Sequence, residues 1–223
     1  MLGAVFAERL ETPGEEVERE LRAALAEPDA AAARALLVEV GELYRFPASA
    51  AEAQRLLKIA GDAARHEDPN IAAAALRALG TTGARAAAAH VEPWLRLGKP
   101  KPEQLPIVVA AIQAAGRLRV QPVIDPLVKL ARSSADGTSA EQAFLALGSF
   151  FAAPKALRVQ VTNKVLEACQ ATSRRRARWR RQRAPALRAL QMLTGRRLNS
   201  VELFAAWWKA AKTQKDPFTY RPS

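Results

Sequence analysis

Between Ser173 and Arg183 the chain sets seven arginines in ten positions, Arg174, Arg175, Arg176, Arg178, Arg180, Arg181 and Arg183, with Trp179 among them. Guanidiniums this close repel one another unless carboxylates or phosphates neutralise them. Only three acids occur from residue 151 to residue 223, so the neighbouring sequence supplies few such partners. The chemistry on offer is anion recognition through charge-assisted, forked hydrogen bonds. Trp179 is expected to stack on a base or on an arginine. An acidic protein surface, RNA and DNA all fit this description, and a solvated loop in an Arg-rich chain is the plain alternative.

The other reactive residue types are sparse. His66 and His90 stand 24 positions apart with no cysteine or carboxylate at ligand spacing, so no metal set is expected. Cys169 is the only cysteine, has no histidine near it in sequence, and reads as a packed small residue. No Gly-x-Gly-x-x-Gly, Walker loop or Gly-x-Ser-x-Gly occurs. The sequence therefore predicts a non-enzyme with no catalytic residue, no metal, no cofactor and no small-molecule substrate. A second candidate set is aromatic. Phe204, Trp207 and Trp208 share one helical face at i, i+3 and i+4, and Phe218 and Tyr220 follow in the tail. They are expected to close the open end of a core, or else to dock a partner.

Charge is distributed unevenly along the chain. Residues 1–50 hold 5 basic and 10 acidic side chains, residues 51–150 hold 12 and 9, and residues 151–223 hold 17 and 3, within an overall net charge of +12. Such polarity orients a molecule on an anionic partner. No run approaches the ~20 apolar residues of a membrane span. The apolar start, Met1 to Ala7, lacks a basic leader, so a cytoplasmic location is the default expectation.

The elements that must carry these residues are marked by a recurring phrase. It is written as Ala75-Leu76-Arg77-Ala78-Leu79-Gly80, Ala111-Ile112-Gln113-Ala114-Ala115-Gly116, Ala143-Phe144-Leu145-Ala146-Leu147-Gly148 and Ala186-Leu187-Arg188-Ala189-Leu190, with a weaker copy at Leu36-Leu37-Val38-Glu39-Val40-Gly41. The starts are 39, 36, 32 and 43 residues apart, the spacing of stacked helix pairs. Ala-rich, aromatic-poor composition favours helices over sheet. The phrase helix is expected to come first in each pair and to end at its glycine, a C′ residue with positive φ. Expected helices run from Leu2 to Leu10, Pro13 or Glu15 to Ala26, Asp29 to Gly41, Ser49 to Arg65, Asn70 to Leu79, Ala84 to Leu97, Glu103 to Leu118, Gln121 to Arg132, Thr138 or Ser139 to Gly148, Pro154 to Ala171, Arg180 to Gly195 and Ser200 to Lys212. Pro126 is expected to kink a helix or mark its late start. Ser49 and Glu52 form an expected capping box. Residues 173–184 are expected to be an inserted loop, since arginines at 174, 175, 176 and 178 cover most of a helical turn and leave no face to bury.

The phrase, its spacing and the Pro or Asp before a helix resemble HEAT repeats over residues 29 to 212. Leu193-Thr194-Gly195, followed by Val201, Phe204, Trp207 and Trp208, is similar to the closing repeat of bacterial HEAT-repeat proteins. The resemblance implies an all-α fold, an α-solenoid of about six antiparallel helix pairs, over residues 1–212, with the first pair fitting badly and residues 213–223 as an extended tail. It implies a scaffold or adaptor subunit that binds a protein partner in a larger assembly. A nucleic-acid-binding module is the alternative, and a HEAT-like DNA glycosylase a remote third, because Trp207-Trp208 is followed by Lys209 where a catalytic Asp is wanted. HEAT-like bilin lyases are the other enzyme case, and nothing in this sequence suggests a tetrapyrrole pocket.

Overall fold

The computed structural model describes residues 11–26, 30–97, 100–134, 136–173 and 176–219. The expected helix from Leu2 to Leu10, and Arg174, Arg175 and Tyr220, lie outside them. The chain is helical with no strand among the described residues: α1 (Pro13–Ala26), α2 (Ala30–Leu43), α3 (Ala50–Ala63), α4 (Pro69–Thr82), α5 (Ala88–Leu95), α6 (Leu105–Leu118), α7 (Ile124–Ser133), α8 (Gly137–Gly148), α9 (Lys155–Ser173), α10 (Arg176–Thr194) and α11 (Val201–Ala211).

Side-chain caps fix where several helices begin, because the first backbone N–H groups of a helix lack internal acceptors. Ser49 Oγ accepts from Glu52 N at 3.1 Å, and Ser200 Oγ accepts from Leu203 N at 3.2 Å. Asp68 accepts from Asn70 N at 2.7 Å just ahead of Pro69. For α8 the cap is Asp136, whose carboxylate takes Thr138 N and Ser139 N at 3.2 and 2.7 Å. That displaces the expected caps Thr138 and Ser139 into the helix. Pro126 stands in the first turn of α7, where its missing N–H costs nothing, so it marks a late start.

All five copies of the phrase lie on α2, α4, α6, α8 and α10. These five helices pack in succession, α2 on α4, α4 on α6, α6 on α8 and α8 on α10. A second set lies beside them, with α1 against α3, α5 against α7, α7 against α9 and α9 against α11. Each phrase helix packs far more extensively on the helix before it than on the one after it. The phrase thus marks the second helix of a pair, correcting the expected order.

The role of the glycine also differs from expectation. Gly41, Gly80 and Gly116 lie inside their helices, and Gly148 is the last residue of α8. Among the described residues the positive-φ positions are Gly83, Arg119 and Gly195. A Cβ built on Gly80 would stand 2.7 Å from Ala114 Cα. On Gly41 it would stand 3.2 Å from Ala78 Cα, and on Gly116 and Gly148 3.1 Å from Ala146 Cα and Ala189 Cα. In every case the neighbour is the fourth residue of the next copy. At Gly80 a Cβ would force the neighbouring backbone to shift, and at Gly41, Gly116 and Gly148 it would fit only if the neighbouring helix gave way by a few tenths of an ångström.

The ends of the row follow from the same contact. In α2 the fourth position is Glu39, which is exposed, and no earlier phrase glycine among the described residues faces it. In α10 the sixth position is Gln191, whose Nε2 donates to Leu198 O at 3.2 Å.

Gly80→Ala therefore sets two effects against each other. Helix propensity favours Ala by up to ~1 kcal/mol, and overpacking against backbone costs about 1–3 kcal/mol, so net destabilisation in chemical denaturation is expected. Gly137 has open space around its Cβ position and no positive φ. Gly137→Ala should be neutral or stabilising by up to ~1 kcal/mol.

Candidate interaction face

From Arg176 to Arg183 the arginine run is helix, not an inserted loop. α10 begins at Arg176, and the long step between the fourth and fifth phrases is absorbed by α9 and α10, each 19 residues long. A buried stripe does exist. Trp179, Gln182, Ala186, Ala189 and Leu193 recur at helical spacing and face the core, with Gln182 only 4% exposed and the last three fully covered. Trp179 is half-buried against the core. It anchors this half of the helix, which removes most of the ring from stacking on a base.

With that face buried, the helix sorts the arginines. Arg176, Arg180 and Arg183 fall at i, i+4 and i+7 on one flank, and all are exposed. Arg181 lies two turns before Arg188, so these two exposed residues share another face. Arg183 reaches Asn199 O at 3.4 Å. Among the described residues, Arg176, Arg180 and Arg181 have no ion pair. Arg176 also stands in the first turn of α10, which holds no acid and where the helix dipole disfavours a cation.

Arg188 opens a set that the charge run conceals. It is the third residue of its phrase, as Val38, Arg77, Gln113 and Leu145 are of theirs. Val38, Arg77, Gln113 and Arg188 are exposed and Leu145 is half-buried, while the second and fifth positions of every copy are buried or half-buried. Because the five helices pack in equivalent register, this position maps one outward side of the row. The signal lay in the phrase itself, as the position that holds Val, Arg, Gln, Leu and Arg in the five copies while the first, second and fifth positions stay apolar.

The C-terminal aromatics face inward. Phe204, Trp207 and Trp208 are 1%, 9% and 4% exposed, and Trp208 Nε1 donates to Asn163 Oδ1 at 2.6 Å. They close the core and offer no docking surface. Phe218 is half-buried on this chain, with its ring centroid 5.5 Å from that of Trp208 and 3.7 Å from the Arg158 guanidinium carbon. Arg158 Nε donates to Leu193 O at 2.6 Å. Burial draws that guanidinium below the ordinary arginine range, against the pull of Asp216.

Among the described residues no group of three His, Cys, Asp or Glu side chains could hold a metal. Cys169 is fully buried, and burial pushes its thiol up to about 12, which suppresses thiolate chemistry. Glu52 is a buried carboxylate, and its oxygens are occupied. Thr12 Oγ1 and Gly14 N donate to Oε1 at 2.7 and 3.0 Å, and Ala48 N donates to Oε2. Glu52 thus ties the start of α1 to α3, reaching Ala48 N rather than closing a reciprocal box with Ser49 N.

The Thr12 hydroxyl is the largest cause holding Glu52 below the ordinary glutamate range, with the two backbone N–H groups adding to it against burial. A depressed carboxylate contributes stability that is present above its unfolded pKa and is lost as pH falls toward the folded one. Glu52→Ala should cost about 1–3 kcal/mol through orphaned donors, and should flatten the acid limb of the stability curve below about pH 4.3. Arg176→Glu, in the first turn of α10, should stabilise by about 0.3–1 kcal/mol at low salt. Denaturation at two ionic strengths tests this, because screening should shrink the gain. Comparison of the chain with protein-family models and with curated proteins found no match.

Proposed function

We propose that the chain is a non-enzymatic α-solenoid of HEAT type, acting as a scaffold or adaptor. In this proposal an acidic surface of a protein partner rests on the exposed arginines of α10. The observation that carries the reading is the placement of Arg176, Arg180 and Arg181. They are exposed and without an ion pair among the described residues, Arg176 and Arg180 repel each other at i and i+4, and Arg176 is set where the helix dipole disfavours it. Side chains held at a cost to stability are the pattern expected of a binding surface.

The half-buried Trp179 favours protein over nucleic acid. Single-strand binding draws on open aromatic faces as well as charge, and here the ring is committed to packing. Phosphate contacts alone remain as the nucleic-acid alternative.

A photo-crosslinking residue at Ala177 or Ala184, both exposed beside the arginines, tests the proposal in the native cell. The expected product is a crosslink to one acidic protein, lost when Arg176, Arg180, Arg181 and Arg183 are changed together to Glu. Crosslinks to RNA or DNA would replace the scaffold reading. Binding would then weaken with salt at a logarithmic slope of about −0.7 to −0.9 per phosphate contact.

A further inference from the structure

On the outward side of the row, far along the chain from the arginine run, a groove of about 480 Å³ is lined by α2 and α4, with Arg117 reaching it from α6. Its floor is made of small apolar groups, Ala31, Ala35, Ala74 and Ala78, with Val38 rising from it. Val38 is 65% exposed, one of the few large apolar side chains left uncovered. Three guanidiniums, from Arg34, Arg77 and Arg117, line the same groove. Two of them are held in place, Arg34 Nε by Ala30 O at 3.1 Å and Arg117 Nη1 by Thr81 Oγ1 at 3.2 Å. Arg77 is exposed and has no ion pair among the described residues. The single carboxylate in the lining, Glu42, is engaged by Arg45 at 3.3 Å.

We propose that this groove docks an acidic amphipathic helix of a protein partner, apolar side chains on the Ala and Val38 floor and carboxylates on Arg34, Arg77 and Arg117. The argument is complementarity of both kinds at once. A floor of methyl groups lets a helix backbone approach closely, and its apolar residues cover Val38. Three cations against one engaged carboxylate select negative flanks. The walls are helices whose backbone groups are internally bonded, so there is no strand edge for an extended peptide to join. A nucleic-acid backbone would meet the cations but would leave Val38 and the alanines unfilled. The site stands apart from α10, so its test succeeds or fails independently of the arginine-run proposal.

The probe is a labelled synthetic helix with Leu at i, i+3, i+4 and i+7 and Glu on both flanks, titrated against the full chain by anisotropy. Its comparators are a same-composition peptide with the Leu residues spread around the helix, polyglutamate, and a single-stranded oligonucleotide. The amphipathic peptide should bind saturably, and at least about tenfold more tightly than any comparator. Val38→Glu and Arg77→Glu, both at exposed positions, should each weaken it by about tenfold with the thermal midpoint unchanged. Ala184→Glu on α10 should leave binding as it was. Equal binding of the scrambled peptide or polyglutamate would overturn the groove in favour of charge alone, and preference for the oligonucleotide would assign it to nucleic acid. Absence of saturable binding, or indifference to both groove variants, would also overturn the proposal.

Discussion

The contact on which the rest of the structure depends is the approach of a glycine in one phrase helix to the fourth-position alanine of the next. Gly41 meets Ala78, Gly80 meets Ala114, Gly116 meets Ala146 and Gly148 meets Ala189. At 2.7–3.2 Å from a virtual Cβ to a backbone atom, the helices touch nearly main chain to main chain, and a single methyl group is the quantity that decides the fit. Because four successive junctions use the same two positions, the helices of the row share one register. Everything that follows from register follows from that contact, including which residue of each copy looks outward.

Register gives the charged residues their meaning. On a helix held this way, Trp179, Gln182, Ala186, Ala189 and Leu193 must turn inward, and the arginines between them are forced out. Arg181 and Arg188 then fall on the outward side that also carries Val38 and Arg77. Mutual repulsion of Arg176 and Arg180, at i and i+4, opposes crowding such charges on one helix. The same packing leaves shallow floors between neighbouring helices, because residues near the close contact must be small.

Much of the architecture was legible from the spacing of five short phrases, since helices of similar length packed in one register must repeat both their small and their large residues. The meaning of the phrase glycine was not. A glycine near a helix end is equally consistent with a left-handed cap and with a close approach, and only the neighbouring helix distinguishes them. The order within pairs was hidden for the same reason, because chain proximity does not say which of two flanking helices shares more surface. In the arginine run, counting charges around a turn missed the stripe that begins at Trp179, and a long run of one residue type drew attention from the apolar positions within it. The groove at Val38 involves α2, α4 and α6, whose residues are up to 86 positions apart from Ala31 to Arg117. No local pattern could bring them together.

The central claim is that one side of the phrase-helix row is the binding side, and arginine-selective chemical modification of the protein in its native assembly tests it most directly. Arg77, Arg181 and Arg188 should be protected together relative to the isolated protein, while Arg65, Arg85 and Arg96, which are exposed on or beside the other set of helices, should react equally in both. Protection of Arg65, Arg85 and Arg96 with Arg77, Arg181 and Arg188 left reactive would contradict the account.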